Sequence, residues 1–132
     1  MKYIRLACIV LVTFLASCNS DSGLVGKWQL FVKNDKGIDI SQEVNNTLTL
    51  KSNQTFILSI RYNEGKIVKS GKYQLTENRS ILTLQILKIN DAKVVDGEKT
   101  PGVKLKIVSI SKDSLIIKQL ETGDQLVYIR EK

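Results

Sequence analysis

Alternation of apolar and polar residues with a period of two, cut at intervals by turn-forming residues, most limits what this sequence can become. In Thr55–Tyr62 the residues Phe56, Leu58, Ile60 and Tyr62 share one side. Val103–Ser109 sets Val103, Leu105 and Ile107 against Lys104 and Lys106, and Ile81–Ile89 repeats the pattern with Leu82, Leu84 and Ile86. That repeat belongs to an extended strand with one buried and one wet face, whereas a helix face recurs every 3.6 residues. Turn signals separate the runs: Asn34-Asp35-Lys36-Gly37, Ser52-Asn53-Gln54, Asn63-Glu64-Gly65, Glu77-Asn78, Ser111-Lys112-Asp113 and Thr122-Gly123-Asp124. The single proline, Pro101, interrupts none of them. The pattern predicts eight strands, over 24–33, 47–51, 55–62, 66–75, 81–89, 103–110, 114–120 and 125–130, and no helix.

Short strands at even spacing imply an all-β, antiparallel architecture. Two forms fit: an eight-stranded up-and-down barrel, or a β-sandwich with a similar strand pattern. In a meander, alternate connections lie at the same end. Segments 34–46, 63–65, 90–102 and 121–124 are therefore expected at one rim. The two long loops, 34–46 and 90–102, then share a mouth, and long loops in compact domains are often functional. The face expected to point inward collects Leu30, Leu48, Leu50, Phe56, Leu58, Ile60, Tyr62, Tyr73, Leu82, Leu84, Ile86, Leu105, Ile107 and Ile117.

A different kind of segment precedes the strands. Lys2 and Arg5 lead into the apolar run Leu6–Leu15 and then Ala16-Ser17-Cys18. A charged start, a short apolar stretch and small residues make a secretory signal, and the run falls short of the ~20 residues that span a bilayer. Leu15-Ala16-Ser17-Cys18 resembles the bacterial lipobox, which implies cleavage before Cys18 and acylation of its thiol and new amino group. The expected organisation is a lipoprotein signal peptide over 1–17, lipidated Cys18 with a tether over 18–23, and one folded domain over 24–132. Stable attachment takes two or more acyl chains, at ~0.8 kcal/mol per buried methylene. The expected location is the cell envelope. The outer membrane is preferred because Asn19, and not Asp, follows Cys18. Cys8 leaves with the leader and Cys18 carries lipid, so no disulfide is expected.

The chain has no histidine. That removes Ser-His-Asp and Cys-His arrangements and the commonest metal ligand. Most acids stand in turns, as Asp35, Glu64, Glu77, Asp91, Asp96, Asp113, Glu121 and Asp124, where carboxylates are ordinarily solvated. Asp91…Asp96-Gly97-Glu98 lacks the spacing of an EF-hand loop. No enzymatic activity, catalytic residue, metal or other cofactor is expected. The formal net charge of +7 becomes +5 once Lys2 and Arg5 depart. The surplus lysines are scattered singly, at Lys66, Lys69, Lys72, Lys104, Lys106 and Lys118, without the basic stripe and aromatics of a nucleic-acid surface. Isolated lysines on strands instead keep sheet edges from pairing with neighbours.

Leu24-Val25-Gly26-Lys27-Trp28-Gln29-Leu30 places Gly-x-Trp on the first strand. With Leu48-Thr49-Leu50…Thr55-Phe56 and Gly71-Lys72-Tyr73, it resembles the small lipocalin-like lipoproteins of Gram-negative bacteria over roughly Leu24–Lys132. The resemblance implies a lipocalin-like barrel whose base is formed by Gly26, Trp28 and Arg130, with Arg130 packed across Trp28. The domain is shorter than ordinary lipocalins, and no helix is predicted beside the barrel. Barrels of this size either fill their interior or hold one small ligand. For the second case the candidate ligand-binding residues are Phe56, Leu58, Ile60, Tyr62, Tyr73 and Lys88, with Tyr62 and Lys88 expected near the mouth. The expected function is non-catalytic binding of a small hydrophobic ligand. The alternative is a protein-interaction module of the envelope that uses loops 34–46 and 90–102 around a filled core. The expected partners are the membrane through the lipid anchor, a small apolar ligand or an envelope protein, for a monomeric chain.

Overall fold

The computed structural model describes residues 23–99 and 101–132. The signal segment, Cys18 and tether residues 19–22 lie outside the described residues. The strands are β1 (Gly26–Leu30), β2 (Thr47–Leu50), β3 (Thr55–Tyr62), β4 (Gly65–Thr76), β5 (Ile81–Ile89), β6 (Ala92–Lys93), β7 (Val103–Ile110), β8 (Ser114–Gln119) and β9 (Gln125–Arg130). A single helical turn, α1 (Ser41–Val44), stands between β1 and β2. Every strand pairing is antiparallel, and the sheet runs β4-β3-β2-β1-β9-β8-β7-β5-β6. A further pairing of β4 with β5 closes it. Eight strands thus form a continuous ring, with β6 a two-residue addition to β5. A closed ring has no open edge, and a two-sheet sandwich is excluded by the β4–β5 and β1–β9 ladders, which complete the ring.

The core is the apolar face of each alternating run turned inward. Trp28, Leu48, Leu50, Phe56, Leu82, Leu115 and Ile117 are the largest fully buried side chains. Leu24, Tyr73, Leu84, Leu105 and Tyr128 join the same cluster. Two departures from the alternation matter. Tyr62, at the mouth end of β3 and paired with Gly65, is 49% exposed and is not part of the buried core. In β5 the register shifts: Gly71 pairs with Ile86 but Ser70 pairs with Lys88, leaving Leu87 unmatched. That β-bulge reverses the faces beyond it.

The long loops are built onto the barrel. The first strand ends at Leu30, three residues earlier than its pattern suggests, because the chain leaves the sheet to form a small hairpin. Lys33 bridges to Asp39 and the Ile40 N–H donates to the Val32 carbonyl at 2.9 Å. Asn34 turns this hairpin by accepting from the Lys36 and Ile38 N–H groups at 2.9 and 3.0 Å. Ser41 locks it. Its hydroxyl accepts from the Val32 N–H at 2.8 Å and donates to the Asp39 carboxylate at 2.6 Å. The unexpected turn α1 follows, and Asn45 ends it in the left-handed region. Segment 90–99 runs back alongside β5. The Val94 N–H donates to the Leu87 carbonyl at 2.9 Å, and the Gln85 amide donates to the Gly97 and Glu98 carbonyls at 3.2 and 2.8 Å.

Candidate functional site

The two ends of the barrel differ. At the base, Trp28 is completely buried and its indole N–H donates to the Leu24 carbonyl at 3.0 Å. Arg130 pairs across from it in β9, with its guanidinium carbon 4.1 Å from the Trp28 ring centroid. The guanidinium donates to the carbonyls of Lys112, Val25 and Gly23 at 2.7, 2.8 and 2.6 Å. One side chain therefore ties the last strand to the β7–β8 turn and to the entry of β1. Gly26 sits where it does for two reasons. Its φ is +149°, and a Cβ there would clash with the Arg130 Nη1 atom. Gly26, Trp28 and Arg130 form one stacked unit that shuts this end.

Toward the other end the interior is not filled. A partly enclosed cavity of about 210 Å³ remains, bounded by Leu48, Phe56, Leu58, Ile60, Lys69, Leu84, Ile86, Val103, Leu105, Ile117, Gln119, Leu126 and Tyr128. Its wall is aliphatic and aromatic except for three residues that carry a polar group: Lys69, Gln119 and Tyr128. A second depression of about 440 Å³ is an open polar groove on the outer wall, between α1 and the end of β9, lined by Gln29, Gln42, Asn45 and Ile129–Lys132.

Of the six ligand candidates read from the sequence, Phe56, Leu58 and Ile60 line the cavity. Tyr62 stands outside it on the rim. Tyr73 belongs to the base, where its hydroxyl donates to the Lys51 carbonyl at 2.6 Å. Lys88 is turned to the outer face by the bulge at Leu87, sharing a side with Ser70. Lys69 brings a cation to the interior instead. Parity carried that information: Lys69, Gly71 and Tyr73 fall on one side of β4, just as Leu115, Ile117 and Gln119 do on β8. Tyr128 falls two residues before Arg130 on β9 and was signalled in the same way.

Burial pushes the Tyr128 hydroxyl up to about 12, so it stays protonated across the neutral range. On the mouth hairpin, the hydroxyl and backbone N–H of Ser41 hold the Asp39 carboxyl below its ordinary value, and Lys33 adds to this. Among the described residues no cluster of three or more His, Cys, Asp or Glu could hold a metal. No described helix is long and apolar enough to cross a membrane.

The family described as lipocalin-like domain matches residues 24–117, from the entry of β1 to the middle of β8. The chain belongs to the lipocalin-like domain family. A solved structure, a lipocalin-like protein from Bacteroides uniformis, is similar with a TM-score of 0.56 at 15% identity, over 83% of this chain and 99% of that one. At that identity the similarity speaks for the lipocalin-like fold. No match was found among curated protein sequences. The fold of this lipocalin-like domain is that of a binding-type module, closed at one end and hollow toward the other.

Proposed function

We propose that this protein is a lipid-anchored binding protein of the cell envelope that takes a small apolar ligand into its barrel without catalysing a reaction. The observation that carries the reading is the 210 Å³ cavity, apolar around nearly all of its wall and lined by a few residues that carry a polar group. Binding sites for small molecules have that composition. The volume lies below the ~300–1,000 Å³ of sites for drug-sized ligands and above the ~150 Å³ of an apolar cavity that takes up benzene. It suits a short lipophile or the end of a longer chain. The interaction-module reading has less support, because segments 31–46 and 90–99 satisfy much of their hydrogen bonding within themselves and against the barrel.

Native mass spectrometry of protein purified from its own membrane, with the lipidated N-terminus trimmed, tests this reading. The expected result is a reproducible extra mass that disappears on organic extraction. A bare polypeptide mass, together with no displacement of an apolar fluorescent probe, would refute it and turn attention to the loops.

A further inference from the structure

The polar part of the cavity wall has a definite sign. Lys69 is the cationic residue of its lining, and no carboxylate residue lines the cavity. The ion pair formed among the described residues, Lys27 with Glu131, lies elsewhere. The Gln119 carbonyl oxygen already accepts from the Thr122 hydroxyl at 3.0 Å, which leaves the two amide N–H donors of Gln119 uncommitted. Tyr128 is only 5% exposed, yet its hydroxyl makes no hydrogen bond to the described residues. Buried hydroxyls of tyrosine ordinarily find a partner. Nor is this hydroxyl sealed in the core, since no fully buried side-chain polar atom among the described residues is left without a partner. The cavity that Tyr128 lines lies beside it. A wall of hydrocarbon therefore carries three donors, one of them cationic, and lacks an acidic acceptor.

Resting on the reading that the barrel binds a ligand, we propose that the ligand class is a short-chain amphiphile with a single negative charge. The Lys69 ammonium and Gln119 amide hold its carboxylate, and its hydrocarbon part lies against Leu58, Ile60, Ile86 and Leu126. One cation with no acidic neighbour in the cavity matches one anionic group. Charge-assisted hydrogen bonds are about twice as strong as neutral ones. A neutral molecule with the same tail would leave the ammonium unmatched. Tyr128, protonated at neutral pH, supplies a further donor.

The test compares octanoate with 1-octanol, which share a tail and differ in head group, by titration calorimetry at pH 7.5. The full chain carrying Cys18→Ser is used, which avoids detergent. Octanoate is expected to bind about tenfold or more tightly than octanol, the scale of one charge-assisted contact. Lys69→Met, close in volume, is expected to erase that preference, with octanoate weakened to the level of octanol in the same variant. Gln119→Leu should weaken octanoate alone, by roughly threefold. If both compounds bind equally, the head-group assignment is overturned while cavity binding stands, and the unmutated chain decides this even if a variant fails to fold. A preference for octanoate that survives Lys69→Met in a folded variant overturns the role of Lys69. No binding of either compound to folded protein overturns the ligand reading and this inference with it.

Discussion

Trp28 shows how much of this fold passes through single side chains. Its ring is sealed between the barrel interior and the Arg130 guanidinium, which itself satisfies three backbone carbonyls. Trp28→Ala should cost ~3–5 kcal/mol, as emptying a well-buried aromatic site does, and calorimetric unfolding checks it; an unchanged melting temperature would contradict the role of the base. Arg130→Lys keeps the charge but cannot form the three-way fork, and a loss of about 2–4 kcal/mol is expected by the same measurement. Tyr128 acts through pH. Its hydroxyl ionises near 10 in the unfolded chain and about 12 in the folded one. Between those values the folded state keeps a proton that the unfolded state has lost, so stability falls as pH rises through this window and levels off above it. Tyr128→Phe should flatten that part of the alkaline loss, on the order of 2 kcal/mol, when melting temperatures of the two proteins are compared from pH 9 to pH 12.

At the scale of elements, β4 and β5 decide what reaches the cavity. The bulge at Leu87 needs Gly71 opposite, because a Cβ there would fall on the Gln85 carbonyl oxygen and within 3.0 Å of the Leu87 nitrogen. Both are backbone atoms that cannot swing aside. Gly71→Ala is expected to destabilise by at least ~1–3 kcal/mol, the cost of overpacking, and to disturb the chemical shifts of Ile86–Lys88 before those of distant strands. The mouth hairpin depends on Ser41, which is buried although it is polar. Ser41→Ala removes the acceptor of the Val32 N–H and the hydroxyl donor of Asp39. Asp39 has its carboxyl lowered first by that hydroxyl, so its contribution to stability is present above the ordinary carboxylate range and is lost as pH falls. In Ser41→Ala its titration, followed by NMR, should move up toward the ordinary value of 3.8.

For the whole molecule, closure brings both ends of the described chain to the base. Gly23 and the Arg130 guanidinium touch there, so the described chain begins at the closed end. With Cys18 acylated, as proposed, the base would face the bilayer and the mouth would open away from it. Cys18→Ser is expected to shift the protein from the membrane fraction to the soluble one on cell fractionation. Persistence in the membrane fraction would refute lipid anchoring. Crosslinking from the bilayer should reach the β2–β3 and β7–β8 turns before segment 90–102, and the opposite order would refute the orientation.

Local chemistry made the strands readable without coordinates. Period-two alternation and turn residues act over a few neighbours, so the spans 55–62, 81–89, 103–110 and 125–130 coincide with β3, β5, β7 and β9. The same parity brought Phe56, Leu58 and Ile60 to the cavity wall. What local pattern cannot encode is which distant residue a strand skips. One unmatched residue, Leu87, reverses every face beyond it, sending Lys88 outward and leaving Lys69 to supply the cation. Closure through the β4–β5 and β1–β9 ladders, and the unfilled volume between them, likewise depend on pairings far apart in the chain. The sequence by itself determined an all-β meander and the residues able to face inward. Only the tertiary structure decided that the ring closes, where it stays hollow and which polar groups the hollow presents, because those are properties of long-range register and packing.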